Sequence, residues 1–142
     1  RPAIATINST RSTTDFDEGG SSASNQLNAP IYVDPTLRYN GSSSWEPPDE
    51  TKGDVARCMF YMAIRYEGDA TYEPDLELVD QATSTSPDDT YGEFGYLSTL
   101  IDWHTNDPPD AAESNRNEKI FMNYQHNRNP FIDHPEWVTN IW

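Results

Sequence analysis

One segment of this sequence, DVARCMFYMAIRYEG at residues 54–68, restricts the fold more than any other. Its apolar residues recur at intervals of three and four, which is the period of one face of an α-helix. Asp54 favours the amino end of a helix electrostatically, and Gly68 is a residue type that often ends one. The segment therefore predicts a core helix over residues 54–67, with Cys58 as a buried structural thiol.

Three further helices are predicted, over residues 97–104, 111–125 and 134–141. The second of these has Asp110 as its N-cap and Glu113 three residues later, which is the spacing of a capping box. The third has Asp133 as its N-cap and Pro135 in its first turn, and the preceding NRNPF is predicted to be a polar turn. The expected core consists of Met59, Phe60, Met62, Leu100, Trp103, Ile120, Phe121 and Trp137.

The remainder of the chain carries few signals of regular structure. Residues 1–52 are polar and mostly irregular, apart from IYV at 31–33, which predicts one short strand between two prolines. Residues 69–95 are acidic and rich in Pro, Ser and Thr, and they predict a long surface excursion. The sequence therefore predicts a single domain over residues 1–142 that is mainly α, with long loops and little sheet.

The charge of the chain limits its partners. It has 24 acidic residues against 9 basic ones, which gives a net charge of −15 over 142 residues. Such a field repels nucleic acid and membrane surfaces unless cations are grouped locally. No run approaches the ~20 apolar residues of a membrane span. The single cysteine excludes an internal disulfide.

The placement of the few cations is therefore informative. They predict either one local anion-binding face or ordinary ion pairs on helix surfaces, such as Asp54 with Arg57 or Glu113 with Arg116. The three histidines each have a structural explanation at a helix end or in a turn, and their spacing is not that of a zinc site. The cations in the most distinctive segments are Arg1, Arg11, Arg57, Arg65, Arg116, Lys119 and Arg128; the histidines are His104, His126 and His134.

Longer motifs are more specific than these single residues. EPPDETKGDVARCMFYMAIRYEGD, LIDWHTNDPPDAAESNRNEKIFMNYQHNRNPFIDHPEWVTNIW and the opening RPAIATINSTRSTTDFDEGG resemble the bacterial endonuclease I family. The resemblance covers nearly the whole chain and is weakest over residues 69–95. It implies a secreted or periplasmic nonspecific nuclease with a ββα-metal (His-metal finger) site. The implied activity is hydrolysis of phosphodiester bonds in DNA or RNA.

The resemblance also implies site residues and a cofactor. Members of the family use one divalent ion, Mg²⁺ or Ca²⁺, and Asn8 matches the position of a metal-binding Asn. Arg11 matches an Arg that follows it and is expected to contact phosphate. We expect Arg57 to line the same cleft, because local cations are needed to hold a phosphate against this net charge. The alternative for Asn8 is that it only caps a short helix.

The chain also departs from the family pattern. The general base of the family lies in a His-Val-Trp-Pro-like stretch upstream of the Arg-Pro that opens this sequence, and that stretch is absent. The acidic metal ligand is absent with it, so the metal finger is expected to be incomplete. His126 stands where the family has Gly, and neither His104 nor His134 matches a catalytic position. We expect no catalytic residue in this chain and poor nuclease activity from it alone.

Three interpretations stay open at this stage. The chain is part of an active nuclease that a missing N-terminal segment completes. Alternatively, it is an inactive nuclease-derived module that serves as a binding or structural subunit of an extracellular assembly, with self-association as its property. In the third interpretation only the scaffold is shared, and the ligand is a metal or an acidic polymer.

Overall fold

The computed structural model describes residues 5, 15–18, 22–24, 30–32, 45–68, 71–72, 74–80, 92 and 94–142. Two predicted site residues, Asn8 and Arg11, lie outside these ranges. Among the described residues helices predominate, and the regular sheet is one antiparallel pair of three-residue strands. The prediction of a mainly α chain with little sheet is therefore confirmed.

The strands are β1 (Ser22–Ser24) and β2 (Pro30–Tyr32), with Ala23 opposite Ile31. The predicted strand at 31–33 is thus present but begins one residue earlier, at Pro30. Val33 lies outside the described residues. The helices are α1 (Lys52–Arg65), α2 (Leu97–Asn106), α3 (Ala111–Ile120), α4 (Pro130–Asp133) and α5 (Val138–Ile141). A 3-10 turn precedes α1 at Asp49–Thr51, and another lies between α4 and α5 at Pro135–Trp137. None of the described helices is long and apolar enough to span a membrane.

The first turn of α1 packs closely against the end of α2. The backbone N–H of Gly53 donates to Asp107 Oδ2 over 2.9 Å. A Cβ at Gly53 would lie 1.9 Å from the carbonyl oxygen of Asp107, so only glycine allows this approach. Helix α1 begins two residues earlier than predicted, at Lys52, whose ammonium binds Glu46 Oε1 at 2.5 Å and Asp49 Oδ1 at 2.8 Å.

The core lies where α1 and α2 meet the carboxyl-terminal segment. The predicted core positions Phe60, Leu100 and Trp103 are buried, and Met59 packs against them half-buried. Trp137 is 43% exposed, so its assignment to the core is wrong. The 3-10 turn directs it to the surface, where its indole stacks on the His134 ring. Further core residues are Ala56, Leu78, Phe131 and Val138.

The predicted helix over residues 111–125 changes its hydrogen-bonding pattern partway. Asp110 caps it as predicted, since its Oδ1 accepts from the Glu113 N–H over 2.7 Å. Helix α3 ends at Ile120, and Phe121–Gln125 form a π-helical turn. His126 then ends the element in the left-handed region, with φ of 57°. Ile120 and Phe121 are half-buried rather than fully buried core residues.

The assignment of Asp133 as an N-cap is wrong. Asn129 is the N-cap of α4, and its Oδ1 accepts from the Phe131 N–H over 3.0 Å. Pro130 occupies the first helical position, where its missing N–H costs nothing. The NRNPF segment is therefore a capped helix start and not only a turn. Asp133 ends α4 instead, and its carboxylate binds the guanidinium of Arg128.

The structure describes part of the segment predicted as a surface excursion. The Leu76 N–H donates to the Tyr66 carbonyl over 2.8 Å, and the Glu77 N–H donates to the Gly92 carbonyl over 3.0 Å. Leu78 lies in the core. The described part of residues 69–95 therefore packs against the rest of the protein. The division of the chain into one domain and one surface excursion stays a prediction.

Candidate functional site

A cluster of buried charges joins α1 to α3. The side chain of Arg57 is fully buried, and its Nε and Nη2 donate to the two carboxylate oxygens of Glu113 over 3.0 and 2.5 Å. Its Nη1 donates to the Asp107 carbonyl over 2.7 Å. This two-pronged geometry is the strong form of an Arg–carboxylate pair. Arg57 would have to leave these partners to contact a phosphate.

Two further charges complete the cluster. Asp54 Oδ1 lies 3.4 Å from Arg57 Nη2, and Arg116 lies 3.5 Å from Asp54 and 3.7 Å from Glu113. The ion pairs that the sequence predicts for helix surfaces are thus present, but Asp54, Arg57 and Glu113 are buried because α1 and α3 meet there. Burial raises the pKa of the Glu113 carboxyl, and the hydrogen bonds from Arg57 oppose that shift.

His104 borders this cluster from α2. Its Nε2–H donates to the Pro135 carbonyl over 3.0 Å, and its Nδ1 lies 3.5 Å from Arg57 Nη1. The ring also contacts Phe60 edge-on, with 5.9 Å between ring centroids. Burial lowers the pKa of His104 and the charge of Arg57 adds to this shift, whereas the bond to Pro135 opposes it. The ring is therefore a neutral, buried structural group.

The other two histidines lie at the surface in local contacts. His126 Nδ1 lies 2.9 Å from the Phe121 carbonyl, so the ring closes the π turn. His134 Nδ1 lies 3.2 Å from Glu136 Oε1, and the ring stacks on Trp137 with 4.4 Å between centroids. In the described part of the chain, no three His, Cys, Asp or Glu side chains lie together as potential metal ligands. The predicted metal ligand Asn8 is outside that part, so its role stays a prediction.

A cavity of about 220 Å³ opens between α1, α3 and the segment that leads into α4. Most of its wall is apolar, and the side chains in that wall are Cys58, Tyr61, Met62, Ile120 and Ile132. The polar lining residues are Arg116, Asn117, Gln125, Asn127 and Asn129. Cys58 is half-buried here, and burial raises the pKa of its thiol, so it is protonated and weakly nucleophilic at neutral pH.

Two asparagines fix one side of this cavity. Asn117 Oδ1 accepts from the Asn129 N–H over 2.9 Å, and Asn117 Nδ2 donates to the Asn129 carbonyl over 3.1 Å. Asn129 Nδ2 in turn donates to the Arg57 carbonyl over 2.8 Å. These bonds tie α1, α3 and the start of α4 together. Nothing in the sequence pattern marks the cavity, because its wall comes from segments that only the tertiary fold brings together.

Arg128, between two asparagines, has a structural explanation as well. Its Nε and Nη2 donate to the two carboxylate oxygens of Asp133 over 2.6 and 2.8 Å. Its Nη1 donates to Glu118 on α3, and its guanidinium lies over the Phe121 ring. The hydrogen bonds from Arg128 lower the pKa of Asp133. Arg128 therefore fastens the NRNPF segment to α3.

Comparison with known proteins gives the class to which this architecture belongs. The profile of the endonuclease I family matches residues 1–136, so the chain belongs to the endonuclease I family and the resemblance seen in its motifs is confirmed. No solved structure matches the chain significantly.

Two curated relatives are similar to it over its full length. The chain is 51% identical over 142 residues to the extracellular ribonuclease of Bacillus amyloliquefaciens. It is 49% identical over the same length to the extracellular ribonuclease of Bacillus subtilis (strain 168). The match covers all of this chain and 44% of each relative, so the chain spans less than half the length of the curated relatives.

Proposed function

We propose that this chain is part of a nonspecific endonuclease that hydrolyses phosphodiester bonds in nucleic acid outside the cell. The observation that carries the proposal is the family match over residues 1–136. The names of the two relatives, both extracellular ribonucleases, support RNA as a substrate and secretion as the route.

The general base of this reaction is proposed to come from outside the 142 residues. A general base must reach the attacking water and accept a proton near neutral pH. His104 is only 7% exposed and donates to the Pro135 carbonyl, so it is poorly placed to reach an attacking water. His134 is held between Glu136 and Trp137. His126 is exposed but occupies a turn-closing position.

The divalent ion, Mg²⁺ or Ca²⁺, and its ligand Asn8 are part of the proposal. A bound divalent cation would supply charge stabilisation at the scissile phosphate. No three His, Cys, Asp or Glu side chains lie together among the described residues, and we propose Asn8, outside those ranges, as one ligand of the ion. Arg11 keeps its proposed contact with phosphate. For Arg57 we propose that it positions α1 against α3, because its guanidinium is buried among protein groups.

The net charge favours a second candidate function. A charge of −15 weakens association with a polyanion, and such a chain is also suited to be an inactive module of an extracellular assembly. The two candidate functions differ in catalysis. An inactive assembly subunit would cleave no nucleic acid, even when joined to the rest of a relative, and would associate with itself or with a partner protein.

Transplantation into a relative tests the proposal. The chain replaces its matching part of the Bacillus subtilis relative, and cleavage of RNA and of plasmid DNA is followed with Mg²⁺, with Ca²⁺ and with EDTA. The intact relative is the positive control. We expect the chimera to show EDTA-sensitive cleavage at least about 10²-fold faster than the 142-residue chain alone. This factor is the lower end of the rate loss caused by removing a general base. A folded chimera that cleaves nothing, beside an active relative, would support the assembly module instead.

A further inference from the structure

We propose that the 220 Å³ cavity between α1, α3 and the segment that leads into α4 holds an unpaired base of a nucleic acid strand. This inference rests on the proposed function, because the occupant is a nucleotide of the strand that the protein would cleave. It also narrows that function, since it makes single-stranded nucleic acid the preferred ligand class.

The apolar wall suits the face of a base. Tyr61 is half-buried on α1, and its hydroxyl accepts a hydrogen bond from Asn127 Nδ2 over 2.8 Å, so the ring is held in place. Met62 and Ile120 supply apolar surface beside it. Proteins bind unpaired bases by stacking them on aromatic rings, and a ring that is already fixed loses little entropy on binding.

The polar rim suits the edge of a base. The exposed amide of Gln125 offers a donor and an acceptor, as the hydrogen-bonding edges of the bases do, and the exposed Asn127 adds its Oδ1 as an acceptor while its Nδ2 donates to Tyr61. By contrast, Asn117 and Asn129 use their amides for bonds within the protein and form a fixed support. The cavity thus combines a rigid wall with a few polar groups at its rim, a combination typical of small-molecule sites.

Arg116 places a positive charge at this cavity. It is the one cation among the described lining residues, and 28% of its side chain is exposed. Its separations from Asp54 and Glu113, 3.5 and 3.7 Å, are longer than ordinary hydrogen bonds. A base attached to a phosphate therefore meets both an apolar wall and a guanidinium that can pair with the anion.

The backbone at the cavity is unusual in a way that also indicates a binding site. The π turn Phe121–Gln125 supplies one lining residue, and His126 beyond it has a positive φ of 57°. Both conformations are rare and cost free energy, and π turns occur often at functional sites. An uninterrupted α-helix would place Gln125 elsewhere, so this turn shapes the rim of the cavity.

The size of the cavity selects one base rather than a base pair. About 220 Å³ is smaller than a typical drug-sized pocket of roughly 300–1,000 Å³. A base inside a duplex can enter such a cavity only if it first leaves the stack, which costs free energy. The cavity should therefore discriminate between single strands and duplexes of the same sequence.

Direct binding measurements test this without requiring catalysis. Fluorescence anisotropy is followed for a labelled single-stranded RNA decamer, for its blunt duplex and for a strand of equal length with abasic positions, all at one fixed salt concentration. We expect the intact chain to bind the single strand more tightly than either the duplex or the abasic strand.

Matched variants locate the binding. Ile120→Glu places a carboxylate in the cavity, and Met122→Glu adds the same charge two residues further on, at a side chain that is 59% exposed. Tyr61→Ala removes the ring, whereas Tyr61→Phe keeps it. We expect Ile120→Glu and Tyr61→Ala to weaken single-strand binding about 5- to 150-fold, the range of one base–aromatic stack. Tyr61→Phe keeps the ring but loses its hydrogen bond to Asn127, so it should weaken binding less than Tyr61→Ala does. Met122→Glu, at an exposed side chain outside the cavity lining, should change binding less than about threefold.

The outcomes separate this inference from the proposed function. Urea midpoints confirm which variants are folded, and Tyr61→Ala and Ile120→Glu serve as independent alternatives if one of them unfolds. Unchanged single-strand binding in folded Tyr61→Ala or Ile120→Glu, or equal binding of the abasic strand, overturns the base site even if the chimera cleaves RNA. Selective binding that these variants abolish upholds the base site even if the chimera cleaves nothing.

Discussion

Arg57 and Glu113 are 56 positions apart in the sequence, yet their side chains meet in a two-pronged ion pair from which solvent is fully excluded. The pair fastens α1 to α3 and stands beside His104, Asp54 and Arg116. It also supports the cavity, because the backbone carbonyl of Arg57 accepts from Asn129 Nδ2. Breaking this pair should affect both the stability of the fold and the shape of the cavity.

Replacing one partner leaves the other charge buried without compensation. We expect Arg57→Met or Glu113→Leu to lower the free energy of unfolding by about 3–5 kcal/mol, measured by urea denaturation. The double variant should lose less than the sum of the two single variants, because it removes both charges. Lys119→Met on the exposed side of α3 is the control, with an expected change within about 0.5 kcal/mol. Additive losses would show that the pair is not energetically coupled.

The Asn129 side chain both caps α4 and bonds to α1. Asn129→Ala removes the cap bond to the Phe131 N–H and leaves the Arg57 carbonyl without this donor. The expected loss of stability is about 1–3 kcal/mol, from a cap contribution of about 1 and a buried hydrogen bond of similar size. Asn140→Ala, at an exposed position in α5, should change stability by less than about 0.5 kcal/mol. Equal effects of the two variants in chemical denaturation would contradict the role assigned to Asn129.

The lowered pKa of His104 predicts how stability depends on pH. Below about pH 6.5 the unfolded chain binds a proton at this residue, while the folded protein keeps the ring neutral down to its lower pKa. The stabilisation is therefore fully present above pH 6.5 and is lost as the pH falls towards the folded pKa, by at most about 1.4 kcal/mol per pH unit. Urea titrations at several pH values should show a smaller slope in this window for His104→Gln. A slope that is the same in the variant would mean that His104 does not titrate as described.

Leu100 and Met59 differ in burial, although both are predicted core residues. Leu100 is fully buried and Met59 is half-buried. Leu100→Ala should therefore lower the free energy of unfolding by about 2–5 kcal/mol, and Met59→Ala should lower it by less. Thermal or urea denaturation of the two variants side by side checks the order. A larger loss from Met59→Ala than from Leu100→Ala would contradict the burial described for these two side chains.

The local sequence signals were sufficient for the elements that depend on neighbouring residues. The spacing of apolar residues predicts α1 and α2 to within a few residues, and the Asp110–Glu113 pair predicts the start of α3. Family membership was also readable from the motifs, because long specific stretches match over most of the chain. These are features that the sequence encodes within a few turns of helix.

Features that depend on tertiary contacts were not readable in the same way. Both Asn129 and Asp133 are residue types favoured at an N-cap, and in the fold Asn129 takes that position, where its Nδ2 also bonds to the Arg57 carbonyl of α1. The π turn also has no sequence signature, since FMNYQ is compatible with an ordinary helix. The same holds for Arg57: its position on α1 is clear, but its burial appears only when α3 brings Glu113 against it.

The position of the general base is the central claim about catalysis, and cleavage by the chain itself tests it most directly. Plasmid nicking and RNA hydrolysis by purified residues 1–142 are measured with Mg²⁺, with and without EDTA, beside the intact Bacillus subtilis relative. We expect cleavage by residues 1–142 to be at least about 10²-fold slower than by the relative, with little effect of EDTA. Robust, EDTA-sensitive cleavage by residues 1–142 alone, abolished by His126→Ala, would contradict it and place the base within this chain.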